Sequence, residues 1–430
     1  QDFMLIPRFS VVENVVLGLE EDDAGGLLDL KAAGQRVKDL SERHGLAVDP
    51  FAKIEHLPVG AQQRVEIVKL LYRSARVLIL DEPTAVLTPQ EVEGLFEVVR
   101  SLVAEGRAVI FITHKLHEVM EVADRVTVLR DGHTIGTTDA ASSNPRELAR
   151  MMVGREIETQ KRMPGEHPQD EDMLRIEDLH VHDATGQPQV RGVDLTVRSG
   201  EILGLAGVDG NGQNELAEAV MSLRPISRGR VIAAGQDVTG ASPAKHRKTG
   251  MAYVPADRRK VGSVGDLSLA YNSILGNLSE FVSHSGLYLK EDQIQDHARR
   301  LIKNYDVRAP GTHFEATKLS GGNLQKMVMG RELMRSPSIL IAEQPTRGLD
   351  VGAAEYVHRQ LLAERNRGAA ILLISTELEE IMQLSDRIAV IYRGQLMGVV
   401  DAESAEIEDI GLMMAGTSLD ELDDVEASRA

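Results

Sequence analysis

Two stretches of this 430-residue chain are copies of one another. The segment "LPVGAQQRVEIVKLLYRSARVLILDEPTAVLT" at 57–88 aligns without a gap on "LSGGNLQKMVMGRELMRSPSILIAEQPTRGLD" at 319–350, an offset of 262 residues. The same offset carries "AVIFITHKLHEVMEVADRVTVLRDGHTIG" at 108–136 onto "AILLISTELEEIMQLSDRIAVIYRGQLMG" at 370–398. A gapless repeat of this length is a duplicated domain, because solenoid units recur every ~20–50 residues. Whatever one half folds into, the other half must fold into as well.

Both halves show one coarse pattern. A helix (64–73; 326–335) leads into a short apolar run, "RVLIL" or "SILIA", of the kind that forms a buried parallel strand. A loop, a helix (89–104; 352–366) and a second strand, "AVIFIT" or "AILLIS", follow. Another helix, the strand "RVTVLR" or "RIAVIY", and a Gly turn complete the unit. Strands alternating with helices predict an α/β fold on a mainly parallel sheet. The second half also carries a strand-rich segment, 173–206. The polar stretch 155–172 reads as a linker, and the acidic tail 415–430 as disordered. The expected domains are therefore 1–154 and 173–414.

Composition narrows the function. A formal charge of −18 and the lack of a long basic run argue against a nucleic-acid partner. The chain has no cysteine, which excludes a disulfide or zinc–thiolate scaffold. It also lacks the run of about 18 apolar residues that a membrane span requires. Gln1-Asp2-Phe3-Met4 leads directly into "LIPRFSVVENVVLG" with no signal-peptide pattern, and the absent initiating Met reads as a fragment or a trimmed product.

Four motifs carry chemistry. "GVDGNGQN" at 207–214 lies between the strand "EILGLA" and the helical run "ELAEAVMSL", the setting of the phosphate-binding loop G-x-x-x-x-G-K-[ST]. Gly207, Asp209, Gly210, Asn211 and Gly212 form a loop whose backbone N–H groups can wrap a polyphosphate at a helix start. Gln213 stands for the Lys and Asn214 for the Ser/Thr, so a fixed cation and a metal hydroxyl are missing. Taken alone, the stretch reads equally as a Gly-rich turn with no ligand. "LILDEPT" ends a strand in two carboxylates: Asp81 is placed to hold magnesium and Glu82 to polarise a water for attack on a γ-phosphate. In the second copy Glu343 can still influence a metal, but Gln344 cannot act as a base. "LSGGN" offers the Ser320 hydroxyl, with Gly321, Gly322 and Asn323, at a helix start, whereas the first copy has Pro58 and Val59 there. His114 ends the strand "AVIFIT" and is placed to contact a γ-phosphate; its counterpart is Thr376. A lone His is more often structural, and its place in the repeat is what singles it out.

Together these motifs resemble the ATP-binding cassette (ABC) family over nearly the whole chain. "LSGGN" resembles the signature motif, "LILDEPT" the Walker B, "THKLHEV" the switch histidine and "RGLD", ending in Asp350, the D-loop. Gln1 resembles the Q-loop glutamine, a metal and catalytic ligand. The resemblance implies two tandem P-loop nucleotide-binding domains, each with a helical subdomain, that bind ATP and Mg2+. It also implies permease partners, an extracytoplasmic substrate-binding protein reached through them, and a place at the cytoplasmic face of the membrane. The tandem arrangement is similar to ATPases of simple-sugar importers, and "QDFMLIPRFSVVENVVLGLE", "LPVGAQQRVEI" and "QPTRGLDVGA" are similar to the nucleoside-import branch.

In that family each ATP lies between the Walker motifs of one domain and the signature of the other. Site one would take Gln1, Asp81, Glu82 and His114 with the "LSGGN" loop and Asp350, all matching the pattern. Site two would take Gln213, Asn214, Glu343, Gln344 and Thr376 with Pro58, Val59 and Thr88, all departing from it. Losses confined to one side support the composite reading. The first domain's phosphate loop is expected about fifty residues before Gln1, so the chain as given is expected to be weakly active or inactive alone. Other readings are an ABC protein acting on ribosomes or DNA, disfavoured by the acidic charge, and a regulatory module without turnover, disfavoured by Asp81, Glu82 and His114. Within transport, the alternative cargo is a pentose or hexose.

Overall fold

The computed structural model describes residues 4–19, 29–84, 87, 89–113, 115–130, 132–153, 171–183, 185–283 and 286–422. The chain divides into two compact units, Gln1–Glu158 and Thr159–Ala430.

In the first unit the helices are α1 (Val11–Val16), α2 (Leu30–Arg43), α3 (Val59–Tyr72), α4 (Pro89–Ala104), α5 (Leu116–Val122) and α6 (Pro145–Val153). The strands are β1 (Val77–Asp81), β2 (Ala108–Ile112), β3 (Arg125–Arg130) and β4 (His133–Asp139). A capping box starts α1: the Ser10 amide donates to Glu13 Oε2 at 2.7 Å, and the Glu13 amide donates to Ser10 Oγ at 3.4 Å. The bonds that the Ser10 amide and the Ser10 hydroxyl donate to Glu13 Oε2 hold that carboxyl below its usual value. Val11, Val12, Val15 and Val16 form one buried face, packed with Val37, Val65, Val68, Leu78 and Leu102.

The second unit is built on β5 (Asp172–His182), β6 (Pro188–Arg198), β7 (Ile202–Ala206), β8 (Arg228–Ala233), β9 (Gln236–Asp237), β10 (Met251–Val254), β11 (Ile339–Glu343), β12 (Ala370–Ser375), β13 (Arg387–Tyr392) and β14 (Gln395–Asp401). Its helices are α7 (Gln213–Val220), α8 (Pro243–Lys248), α9 (Leu269–Ser273), α10 (Glu291–Asn304), α11 (Gly321–Leu333), α12 (Val351–Asn366), α13 (Leu378–Leu384) and α14 (Ile407–Met414). A six-stranded sheet runs β10-β11-β12-β7-β13-β14, parallel except for the antiparallel β13–β14 pair. β7, β11 and β12 are buried along their whole length, which is why they read as continuous apolar runs. One face packs on α11, α12 and α14, the other on α7 and an antiparallel sheet, β6-β5-β8-β9. That second sheet adds an antiparallel layer to the mainly parallel core.

The repeat holds at the level of register. β1 pairs with β2 from Val77 opposite Ala108 to Asp81 opposite Ile112, and β11 pairs with β12 from Ile339 opposite Ala370 to Glu343 opposite Ile374. Even the bulge in β3–β4, after Val128, recurs in β13–β14 after Val390. The faces differ in cover. Val77, Ile79, Ile110 and Ile112 are exposed, while Ile339, Ile341, Leu372 and Ile374 are fully buried against β7 and α7. Among the described residues of the first unit, no counterpart of β7 or α7 covers that face.

Two expectations are corrected. The helices expected at 64–73 and 326–335 begin at Val59 and Gly321, one turn or more earlier, because the motif loops themselves form their first turns. Disorder from residue 415 does not hold for 415–422. Ser418 and Glu421 cap a last turn reciprocally, and Leu419 and Leu422 pack on the core. Residues 423–430 lie outside the described residues, as does the expected linker up to residue 170; β5 already begins at Asp172.

Candidate functional site

The phosphate loop of the second unit joins β7 to α7, where the sequence placed it. Gly210 and Gly212 take positive φ, +85° and +101°, and a side chain on Gly212 would strike the Gln189 carbonyl oxygen. A side chain on Gly207 would strike Gln213 and the Ile391 carbonyl. Both glycines are therefore required by close approach. Gln213 is buried and folds back into the loop. Its Nε2 donates to the Val208 carbonyl at 2.9 Å, and its Oε1 accepts from the Asn211 amide at 3.0 Å. The Asn211 amide, a backbone donor of the loop, is thus already satisfied inside it. Asn211 ties the loop to the sheet by accepting from the Arg393 amide at 2.7 Å, while Asp209 pairs with Arg347 at 3.5 Å. Asn214 is exposed in the first turn of α7.

After β1 and β11 the chain makes the same elbow. Glu82 and Gln344 both sit in the left-handed region, at φ +44° and +45°, a conformation that costs a non-Gly residue about 1–2 kcal/mol. Each is held there by its amide donating to the neighbouring strand: Glu82 to Ile112 at 2.8 Å, Gln344 to Ile374 at 2.7 Å. The side chains diverge. Asp81 is exposed at the tip of β1. Glu343 is buried, and its Oε2 accepts from Tyr253 Oη at 2.5 Å and from the Ala256 amide at 3.4 Å. Gln344 Oε1 accepts from the amide and the hydroxyl of Thr376 at 3.3 and 3.2 Å. The two replacements for a carboxylate base and a histidine therefore close on each other.

Burial pushes the Glu343 carboxyl above its ordinary 4.5, outweighing the bonds from Tyr253 and Ala256 that pull it down. A carboxyl raised on folding contributes stability that is complete below pH 4.5 and is lost as the pH rises through the folded value. Glu343→Gln keeps an acceptor for Tyr253 and removes the charge. The variant should therefore gain in urea midpoint over the parent chain as pH rises from about 4 to about 7. A midpoint difference that stays flat with pH would show that Glu343 does not titrate in that window.

The "LSGGN" loop opens α11. Ser320 caps α11, accepting from Asn323 Nδ2 at 2.9 Å and from the Asn323 amide at 3.4 Å. Asp350 caps α12 by accepting from the Ala353 amide at 2.9 Å, and a side chain on Gly322 would touch both Ala353 and Asp350. Pro58 holds the equivalent backbone, φ −55° and ψ 155° against −62° and 157° for Ser320, but makes no side-chain cap. Gln1, His114, Thr88 and the Val59 side chain lie outside the described residues.

Three residues escaped the sequence reading. Tyr253 occupies Glu343. Arg258, half-buried, donates to the Arg347 and Gly348 carbonyls beside Gly321; desolvation lowers its pKa. Glu118, in α5, accepts from two threonine hydroxyls. The first two come from segments outside the repeat, and the only sequence signal for the third is that it recurs in the second copy as Glu380.

Residues 1–85 and 190–347 match the family model described as ABC transporter. The chain is 44% identical over 421 residues to the Nucleoside import ATP-binding protein NupA of Lactococcus lactis subsp. cremoris, covering 98% of this chain and 83% of that one. It is 46% identical over 422 residues to the Guanosine import ATP-binding protein NupO of Bacillus subtilis, covering 97% and 82%. It is also 44% identical over 449 residues to the Glucose import ATP-binding protein TsgD13 of Haloferax volcanii, covering 97% and 81%. With its duplicated parallel-sheet cores, its phosphate loop and its paired elbows, the chain belongs to the ABC transporter family, as one of its nucleotide-binding ATPases.

Proposed function

We propose that this chain hydrolyses ATP to power nucleoside import, working with permeases at the cytoplasmic face of the membrane and, through them, with an extracytoplasmic substrate-binding protein. The observation that carries the cargo is the naming of two relatives, matched along 97–98% of this chain, as nucleoside and guanosine import proteins. Simple-sugar import is the second reading, favoured by the glucose-import relative at the same 44% identity. Among the described residues no helix is long and apolar enough to cross a membrane; the transport path is assigned to the permeases that the import relatives imply. Their docking is assigned to the loops before α1 and α9. Buried Asn14 clasps the first through the Ile6 amide and carbonyl, and buried Asn272 clasps the second through Val264. Met4, Ile6, Val261 and Val264 stand exposed on these loops, whereas the apolar residues of α1 itself are core.

Hydrolysis is assigned to the site carrying Asp81, Glu82, His114 and Gln1, with Ser320, Gly321, Gly322, Asn323 and Asp350 completing it as the family resemblance implies. Mg2+ keeps several waters and takes only one or two carboxylates. Asp81 is assigned that role from its place at the end of β1, whereas the buried Oε2 of Glu343 already accepts from Tyr253 and Ala256. When bound, the ion neutralises charge on the phosphates. Glu82 orients and polarises the attacking water. The Gly207–Gly212 loop, with Gln213 turned inward, holds nucleotide without turning it over.

The test is uptake of labelled guanosine, uridine, ribose and glucose by cells lacking this protein, with and without its restoration. Nucleoside uptake should vanish and return with the protein while sugar uptake stays constant. Loss of sugar uptake alone would overturn the nucleoside reading.

A further inference from the structure

We propose that Glu118 is a positioning residue for hydrolysis, a buried clasp that fixes the elbow carrying Glu82 against the end of β2. The inference rests on the assignment of Glu82 to the attacking water. Glu118 lies in the first turn of α5 and is only 1% exposed. Its Oε1 accepts from the Thr84 hydroxyl at 2.5 Å and its Oε2 from the Thr113 hydroxyl at 2.8 Å. Thr84 follows Glu82 by two residues. Thr113 directly follows β2 and immediately precedes His114 in the sequence. One carboxylate therefore spans the two strand ends that carry the candidate chemistry. Thr113 Oγ1 also accepts from the Lys115 amide at 3.0 Å, so its hydroxyl proton is directed at Glu118.

The duplicated unit supplies the comparison. Glu380, the counterpart of Glu118, is equally buried and takes the Thr346 hydroxyl on Oε1 at 2.8 Å. His358 Nε2 lies on that same oxygen at 2.9 Å, and Oε2 is buried with no partner. Ser375 replaces Thr113. Its oxygen accepts from the Glu377 amide at 3.0 Å, as Thr113 does from Lys115, but its hydroxyl makes no bond to Glu380. The tie to the elbow exists in both units, and the tie across to the second strand end exists only beside Glu82. A clasp needed for folding alone would be required equally in both. The cross-strand half instead follows the carboxylate base, being absent where Gln344 stands.

Positioning of this kind acts on the chemical step. A displacement of about 1 Å at a reacting group costs on the order of 10²-fold in rate. In the assembled transporter, Glu118→Gln presents an amide donor to one of the two hydroxyls, and Thr113→Val deletes the cross-strand bond while keeping the shape. Both should lower kcat by roughly 10–100-fold with KM for ATP and the melting temperature little changed. Glu380→Gln should leave kcat at the parent level. Unchanged kcat in Glu118→Gln, or an equal loss in Glu380→Gln, would overturn the proposal. If Glu118→Gln does not fold, Thr113→Val decides alone, and an unchanged kcat there overturns it. Glu82→Gln separates the two layers: if that variant turns over ATP normally, it is the assignment of Glu82 that fails.

Discussion

Glu82→Gln should abolish ATP turnover by the assembled transporter, and Gln344→Ala should leave most of it. The backbone gives no reason for such asymmetry. Both residues occupy the same left-handed elbow, with φ within a degree of one another, and both amides donate to the neighbouring strand at 2.7–2.8 Å. The difference is confined to side-chain chemistry. A carboxylate at the elbow can polarise water; a carboxamide cannot. Phosphoryl transfer depends on positioning and on stabilising charge as it develops, and removal of one such group costs about 10²–10³ in rate. At Gln344 the group removed is already engaged with Thr376, so alanine there frees two local hydrogen bonds, each worth about 1 kcal/mol of stability, and no reacting centre. The measurement is phosphate release at saturating ATP, with nucleotide affinity checked separately so that lost binding is not read as lost chemistry. Equal damage from the two substitutions would refute the asymmetric assignment.

How much of this was legible in the sequence follows from what each part depends on. The parallel cores were legible because strands such as β11 and β12, buried on both faces, must be continuous apolar runs, and because the repeat forced a second copy. The glycines of the phosphate loop were legible because Gly212 has a contact distance no other residue tolerates. The antiparallel layer around β5 was seen only as a strand-rich segment, since its pairing with β8 is non-local and leaves no mark on periodicity. The inward fold of Gln213 and the capture of Glu343 by Tyr253 were invisible, because each depends on a partner placed by tertiary structure. The helix starts were misplaced for a related reason. Pro58 and the two glycines after Ser320 look like loop residues by propensity, yet Pro58 and Ser320 are helix caps and Gly321 and Gly322 open α11. The ordered turn at 419–422 was hidden by acidic composition, which outweighed two leucines at helical spacing.

Exchange of the two signature loops should have the second large effect. Ser320→Pro with Gly321→Val gives the second unit the Pro-Val pair of the first, and Pro58→Ser with Val59→Gly does the reverse. The first exchange is tolerable to the fold. Ser320 already has φ −62° and ψ 157°, close to the −55° and 155° of Pro58, so proline requires no new backbone. Gly321 is not at positive φ, and a Cβ there meets only the tip of the Arg258 side chain at 3.0 Å. The structural loss is the Ser320 cap, about 1 kcal/mol. The chemical loss is larger, because the Ser320 hydroxyl and the open approach over Gly321 are removed together. If this loop completes the site that carries Glu82, as the family resemblance implies, turnover should fall by at least about 10²-fold while the protein remains folded. The reverse exchange gives the first unit the Ser-Gly pair, which by the same resemblance would serve the elbow that holds Gln344, so it should leave turnover near the parent level. Phosphate release by both variants, read beside circular dichroism, separates the cases. Normal turnover after Ser320→Pro with Gly321→Val, in a protein that still loses activity on Glu82→Gln, would mean that the Ser320 loop does not serve the hydrolytic site.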